Sequence, residues 1–112
     1  MTLDDYQAGA RSTALYPQQA RVLYPALKLA GEAGEVAEKL GKLMRDDGYL
    51  PGRELTQAQR DTLAAELGDV LWYVANLSAD LGFSLQTVGE RNLAKLADRK
   101  TRGVIGGSGD NR

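Results

Sequence analysis

The sequence predicts an all-α protein that folds as a four-helix bundle with two long antiparallel central helices. Three observations predict this class. Ser or Thr precedes three segments in the manner of a helix N-cap, and an acid or amide follows three residues later in two of them. Apolar residues in the two longest segments recur at steps of four and three, which is the spacing of one helix face. No segment alternates apolar and polar residues as a half-buried strand does.

The first two predicted helices are separated by a loop. A capping box at residues 2–5 starts the first helix, which is expected to run to about Ser12. Residues 15–20 contain a proline and show no period, so we interpret them as the loop. The second helix is predicted from Pro25, which suits a first turn, to about Arg45. Its apolar seam consists of Leu29, Ala33, Val36, Leu40 and Leu43.

The third predicted helix is the antiparallel partner of the second. It follows a loop over residues 49–54 and starts at a capping box over residues 56–59. It is expected to reach Asp80 or Leu81 and to stop at Gly82. Its apolar seam consists of Leu63, Leu67, Val70, Val74, Leu77 and Leu81.

A fourth helix and a Gly-rich tail complete the single domain that we expect over residues 1–112. Ser84 is the predicted N-cap of this helix, which should run to about Lys100. Residues 101–112, here called the Gly-rich tail, contain too much glycine for a helix. Four helices of this length bury little apolar surface alone, so oligomerisation is expected to complete the fold.

Composition limits the classes of partner. With 14 basic and 15 acidic residues the chain carries almost no net charge, so we expect no nucleic acid polymer as a partner. No apolar run approaches the roughly 20 residues that a membrane-spanning helix needs, so we expect no membrane partner. The predicted location is the cytoplasm.

Two absent residue types restrict the chemistry further. The chain has no Cys, which excludes disulfides, iron–sulfur clusters and thiol catalysis. It also has no His, the usual ligand for zinc and copper and the commonest general base. Any bound metal must therefore be held by oxygen, which points to Mg²⁺ or Mn²⁺.

One eight-residue phrase occurs twice and carries the acids that such a metal needs. Residues 29–36 read LAGEAGEV and residues 63–70 read LAAELGDV. Each copy holds two acids three positions apart, which places both on one face of a helix. If the two helices pack together, four carboxylates meet at one place. They are Glu32, Glu35, Glu66 and Asp69.

A solvated acidic face is the alternative interpretation, and a non-catalytic helical module would then be the alternative function. Lys28, Lys39 and Lys42 could neutralise the first acid pair. No cation lies within one helical turn of the second pair, whose nearest same-face residues are Tyr73 and Asn76.

The fourth helix and the tail offer groups for an anionic ligand. Asn92, Lys95 and Arg99 step along one face of the helix, and Arg102 follows them. The tail, which ends at Arg112, could turn backbone N–H groups toward a phosphate. Ordinary solvation of the basic face and disorder of the tail are the alternatives.

Two further predictions concern aromatic residues and glycines on the central helices. Tyr73 lies on the acidic side of the third helix and could contact a base, whereas Trp72 is predicted to point away from the seam, toward a subunit interface. Gly34 and Gly68 lie inside helices, where Gly costs roughly 1 kcal/mol relative to Ala. Close approach of a backbone or a ligand would explain them.

The acid motif resembles the signature of the MazG-like nucleoside triphosphate pyrophosphohydrolases, members of the all-α NTP pyrophosphatase superfamily. Glu32-x-x-Glu35 followed by Glu66-x-x-Asp69 carries the resemblance. The segment ELGDVLWYV and the closing GGSGDNR are similar to those of small single-domain members, including phage-encoded ones. The resemblance implies a MazG fold, a homodimer or homotetramer, and the host cytoplasm for a phage-encoded member.

The resemblance also implies a reaction. A (deoxy)nucleoside triphosphate would be hydrolysed to its monophosphate and pyrophosphate. The attacking water would be activated by Mg²⁺ or Mn²⁺, and the four acids of the repeated phrase would be the metal ligands. Glu35 or Glu38 is the candidate catalytic base. Asn92, Lys95 and Arg99 would contact phosphates. Many relatives carry Glu at the position of Gly31, so the number of metal ions and the identity of the base stay open.

The preferred base also stays open. Some phage relatives hydrolyse purine deoxynucleotides such as dGTP, and removal of non-standard nucleotides is equally compatible with the sequence. A few hydrogen bonds to the base determine such specificity, and spacing does not reveal them.

Overall fold

The computed structural model describes residues 1–112 and contains helices and no strands. The helices are α1 (Leu3–Ser12), α2 (Leu23–Asp46), α3 (Gln57–Asp80) and α4 (Leu85–Thr101), with one 3₁₀ turn over Gln18–Ala20. The predicted all-α class is confirmed. Helix α2 begins two residues before Pro25, so this proline lies in the first turn, where its missing N–H is not needed.

Side-chain caps fix three of the four helix starts. Thr2 and Asp5 exchange hydrogen bonds of 3.0 and 2.9 Å with each other's backbone N–H groups. Thr56 and Gln59 do the same at 3.1 and 2.9 Å, and Ser84 accepts from the Thr87 N–H at 3.1 Å. Each cap satisfies N–H groups that a helix start leaves without a partner.

The long helices α2 and α3 lie antiparallel along their length. The middle of α2 meets the middle of α3, where Glu32 lies beside Asp69, and late α2 meets early α3, where Leu43 lies beside Ala58. The loop between the two helices spans only ten residues (47 to 56), which favours an antiparallel hairpin. The acids of the repeated phrase lie on the two helices of this hairpin.

Helix α1 crosses the last turns of α3 and joins them to α4 through Gln7. The Gln7 amide donates to the Ala75 and Phe83 carbonyl oxygens, each at 3.1 Å, and accepts from the Leu85 N–H at 3.0 Å. Ala10, Ala75 and Leu85 form the buried apolar cluster at this crossing. Every buried side-chain polar atom has a hydrogen-bond partner.

The apolar core of the chain is small. Only eight of 112 residues are buried, and the radius of gyration is 17.0 Å, against about 13 Å for a compact domain of this length. Seam residues Ala33 and Leu67 are exposed, so the predicted seams are only partly covered. A Cβ added at Gly34 or Gly68 would meet nothing within 4 Å, so no close approach within the chain explains these glycines.

No helix is both long enough and apolar enough to cross a membrane.

Gln7→Ala should lower the free energy of unfolding by roughly 2–3 kcal/mol, because it leaves two carbonyls and one N–H without their buried partner. Urea denaturation followed by circular dichroism measures this. Gln19→Ala, at an exposed position, is the matched control. An equal effect of the two substitutions would show that Gln7 does not hold the helices together.

Candidate active site

Three carboxylates meet where α2 and α3 lie side by side. Oxygen atoms of Glu32 on α2 and of Glu66 and Asp69 on α3 lie within 4.8 Å of one another. Glu32 and Glu66 are half-buried, whereas Asp69 is exposed. The hairpin thus brings one acid from the first copy of the repeated phrase next to both acids of the second copy. We call these three residues the acidic cluster.

The acidic cluster suits a hard divalent cation. All three residues offer carboxylate oxygens, which Mg²⁺ and Mn²⁺ prefer. Three negative charges at this spacing repel one another unless a cation lies among them. The exposed side of Asp69 leaves space for water and for phosphate oxygens. The residues present therefore fit a metal ion that binds phosphates.

The predicted metal ligand Glu35 and the candidate base Glu38 lie outside the cluster. Both are exposed, and Glu35 does not belong to the group of oxygens that lie within reach of one ion. Glu38 forms an ion pair with Lys42 at 3.1 Å, one helical turn away. The structure therefore unites three of the four acids of the repeat.

Lys39 neutralises the second acid pair instead of the first. Its Nζ lies 2.9 Å from Glu66 Oε1. The hydrogen bond and the charge of Glu66, with smaller contributions from Glu35 and Glu38, raise the pKa of Lys39 above its ordinary value. Sequence spacing along α3 could not show this pair, because the lysine comes from α2.

Aromatic side chains form two adjoining clefts beside the acidic cluster. The first has a volume of about 380 Å³ and is lined by Thr13, Glu32, Asp69, Trp72 and Tyr73. The second, of about 400 Å³, is lined by Thr13, Leu15, Tyr16, Pro17, Tyr24 and Trp72. We call them the acidic cleft and the aromatic cleft. They share Thr13 and Trp72, so a ligand of nucleotide length could occupy both.

Trp72 separates the two clefts. Its indole N–H donates to Thr13 Oγ1 at 2.9 Å, and its ring packs against the buried cluster at the α1 crossing. Within the chain, Trp72 thus contacts α1 and the residue that follows it, and its place in a subunit interface stays a prediction. Trp72 and Thr13, which follows α1, together line both clefts of the site.

Tyr73 stands between the acidic cluster and Tyr24. Its ring meets the Trp72 ring edge-on at 4.8 Å and lies 6.2 Å from the Tyr24 ring. Burial, together with Tyr24, Glu32 and Asp69, raises the pKa of Tyr73 to about 12. Its phenol is therefore protonated at neutral pH and can donate a hydrogen bond to a ligand in the acidic cleft.

The predicted substrate-binding residues of α4 lie elsewhere on the chain. Asn92 and Lys95 line a cleft of about 360 Å³ that shares no residue with the acidic or aromatic cleft. Arg99 is only 4% exposed, and its guanidinium donates to the Asp110 carbonyl at 3.2 Å and carboxylate at 3.3 Å. Lys95 Nζ lies 3.5 Å from the same carboxylate. Within one chain, these cations therefore contact the Gly-rich tail.

The Gly-rich tail folds back on the end of α4. Arg102 pairs with Asp98 at 2.9 Å and donates to the Arg112 carbonyl at 2.6 Å. The Arg112 guanidinium in turn donates to the carbonyl oxygens of Val104 and Ile105, each at 3.2 Å. Both arginines, predicted to bind substrate, serve here to hold the tail.

A polar network that spacing did not single out joins the aromatic cleft to α3. Asp80 accepts hydrogen bonds from Arg11 and Tyr16, each at 2.8 Å, and Arg11 also donates to Asn76 at 3.2 Å. The sequence does contain a pattern that indicates this network, because polar residues recur along α3 at steps of three and four. They are Glu66, Asp69, Tyr73, Asn76 and Asp80.

Comparison with known proteins gives one family. The sequence model of the MazG nucleotide pyrophosphohydrolase domain matches residues 23–104, from the first residue of α2 into the tail. The chain is 50% identical over 119 aligned residues to the gene 37 protein of Mycobacterium phage L5, and the match covers all of both chains. No solved structure matches the chain significantly.

Mn²⁺ should raise the melting temperature of the chain by several degrees, because a ligand bound at about 100 times its Kd adds about 2.7 kcal/mol to the stability of the native state. Asp69→Asn should abolish this shift without lowering the metal-free melting temperature, since it relieves repulsion in the acidic cluster. Glu35→Gln is the matched control and should keep most of the shift. Differential scanning fluorimetry measures all three, and a shift that Asp69→Asn leaves intact would exclude the cluster as the metal site.

Proposed function

Because this chain belongs to the MazG nucleotide pyrophosphohydrolase family, we propose that it hydrolyses a (deoxy)nucleoside triphosphate to the monophosphate and pyrophosphate. The observation that carries the proposal is the acidic cluster beside two adjoining aromatic-lined clefts. A triphosphate needs positive charge close to its oxygens, and a nucleobase needs an apolar surface on which to stack. The acidic cluster offers carboxylates that would hold a cation for the phosphates, and the aromatic cleft offers the apolar surface.

Glu32, Glu66 and Asp69 are the proposed metal ligands, and Mg²⁺ or Mn²⁺ is the proposed ion. Such an ion, when bound, neutralises charge on phosphate oxygens and lowers the pKa of an attacking water. Tyr73 lines the same cleft, where its phenol can donate a hydrogen bond to a phosphate oxygen. Lys39, now paired with Glu66, supplies one further positive charge at the edge of the cluster.

Glu35 is the proposed general base, with Glu38 as the alternative. Glu35 lies one turn beyond Glu32 on α2, is exposed to water, and has no ion-pair partner within 4.0 Å. Glu38, in contrast, forms an ion pair with Lys42 at 3.1 Å. A carboxylate must take this role, since the chain has no His.

The aromatic cleft is the proposed site of the nucleobase. Tyr16 stacks on Tyr24 with ring centroids 5.1 Å apart, and Trp72 is a third aromatic residue in the lining. Flat aromatic surfaces of this kind bind the face of any base. Purine deoxynucleotides such as dGTP are the first substrates to test, given the similarity to phage members and to a protein of a mycobacteriophage.

A second copy of the chain is the proposed partner that completes the site. Asn92, Lys95 and the arginines of α4 and the tail share no cleft with the acidic cluster of their own chain. Exposed leucines line the hairpin beside the clefts, with Leu27 64% and Leu67 56% exposed. A homodimer or homotetramer would cover this apolar surface and could bring α4 of one copy to the cluster of another. For a phage-type member, the compartment would be the host cytoplasm.

A non-catalytic helical module is the second candidate. The Lys39–Glu66 and Lys42–Glu38 ion pairs favour it, since they neutralise part of the acidic face without a metal. This module would not respond to Mn²⁺ and would release no pyrophosphate.

Incubation with a panel of (d)NTPs and Mg²⁺ or Mn²⁺ should yield equal amounts of monophosphate and pyrophosphate, measured by ion-exchange chromatography. Glu35→Gln should lower kcat by about 10² or more, because a positioned general base contributes that much, while the Mn²⁺ melting shift persists. Glu90→Gln, an exposed acid on α4, is the control and should retain full turnover. Absence of both products across the panel would reject the enzyme.

Light scattering should give a mass at least twice the 12.1 kDa of one chain. Leu27→Asp should lower that mass toward the monomer, because it places a charge in the apolar surface that a second copy covers. Leu50→Asp, at an exposed position in the loop between α2 and α3, is the control. A monomeric wild-type chain that still hydrolyses nucleotides would contradict the shared site.

A further inference from the structure

Asp80, the last residue of α3, is a fully buried carboxylate outside the acidic cluster. None of its side chain is exposed. Its Oδ1 accepts from Arg11 at 2.8 Å, and its Oδ2 accepts from the Tyr16 hydroxyl at 2.8 Å and the Val22 N–H at 3.0 Å. Burial alone would raise the pKa of Asp80, but these hydrogen bonds together lower it below its ordinary value. The carboxylate is therefore ionised at neutral pH.

Asp80 contacts the segment that connects α1 to α2 at two places. Tyr16 is the fourth residue of this segment, and Val22 is its last. Val22 has a φ of 69°, a conformation that a β-branched residue rarely adopts without compensation. Its N–H bond to Asp80 supplies that compensation. One carboxylate thus holds the segment against α3 on both sides of the 3₁₀ turn.

This segment forms one wall of the aromatic cleft. Tyr16 and Pro17 lie on it, and Trp72 of α3 also lines the cleft. Trp72 and Asp80 both belong to α3, which also carries Asp69 of the acidic cluster. Asp80 therefore holds one wall of the cleft at a set distance from the other wall and from the acids. It does not line the cleft itself.

We propose that Asp80 is a positioning residue for nucleobase recognition, which acts by holding Tyr16 and the α1–α2 segment against α3. The inference rests on the proposed function, because it assigns the aromatic cleft to the base of the substrate. Loss of the Asp80 charge would leave the acidic cluster intact and weaken the contacts that hold Arg11 of α1 and the wall that contacts the base. Asp80 thus affects which nucleotide is bound, and it affects the hydrolytic step little.

Asp80→Asn tests this proposal, because it keeps the size of the side chain and removes its charge. Steady-state kinetics are measured with several dNTPs and with 2-deoxyribose 5-triphosphate, an analogue that lacks the base. For the preferred dNTP, KM should rise about ten-fold, the usual scale of one lost specificity contact, with kcat unchanged. The ratio of kcat/KM for the preferred dNTP to kcat/KM for the other dNTPs should fall. The kcat and KM for the base-free analogue should not change. Asp61→Asn, an exposed acid on the same helix, is the control.

A merely structural role predicts a different result. Equal losses with the dNTPs and the base-free analogue, or an unchanged KM and unchanged preference in a folded variant, would overturn the proposal. If circular dichroism shows that Asp80→Asn does not fold, Tyr16→Phe replaces it. This variant removes one hydrogen bond to Asp80 and keeps the ring, and it should raise KM in the same direction by a smaller factor.

Failure of the proposed function is distinguishable from failure of this inference. If the wild-type chain hydrolyses no dNTP, nucleotide binding is followed by fluorescence quenching of Trp72, the single tryptophan of the chain. Quenching by a dNTP that weakens in Asp80→Asn, and not in Asp61→Asn, would support the inference without the enzyme. Absence of quenching in the wild type, or equal quenching in all three proteins, would reject it.

Discussion

The polar face of α3 is the constraint on which the rest of the structure depends. In its middle, Glu66 and Asp69 meet α2, and one turn beyond Asp69 the side chain of Tyr73 lines the acidic cleft. At its end, Asn76 and Asp80 bind α1 and the segment that follows it. A helix fixes the distances between these groups. The acids, the residues that line the clefts and the residues that bind α1 therefore keep fixed positions relative to one another on α3.

A helix with such a polar face contributes little to an apolar core. The interior at the α1 crossing accordingly relies on hydrogen bonds from Gln7 and Asn76, and all buried polar side-chain atoms are satisfied there. Their loss would leave buried groups without partners, which costs more than the bond itself contributes. The apolar faces of the hairpin remain exposed in the single chain. The same arrangement that builds the site thus leaves surface for a second copy.

The repeated phrase is symmetric in sequence and asymmetric in structure. The second copy contributes both of its acids to the cluster, whereas the first contributes only Glu32. Lys39 crosses from α2 to Glu66, so the helix that carries the first copy supplies a cation to an acid of the second copy. A carboxylate outside the cluster and open to water suits proton transfer better than metal binding. This asymmetry is the structural basis for separating the proposed base from the proposed ligands.

The sequence alone determined the helices and the chemistry available to them. Caps at Thr2, Thr56 and Ser84 are local interactions, and the absence of His and Cys limits any metal to oxygen ligands. Only the tertiary structure decided the orientation of Trp72 and the role of Asp80. Their partners, such as Thr13 and Val22, lie far away along the chain. Periodicity specifies which face of a helix a residue occupies, but not which element packs against that face.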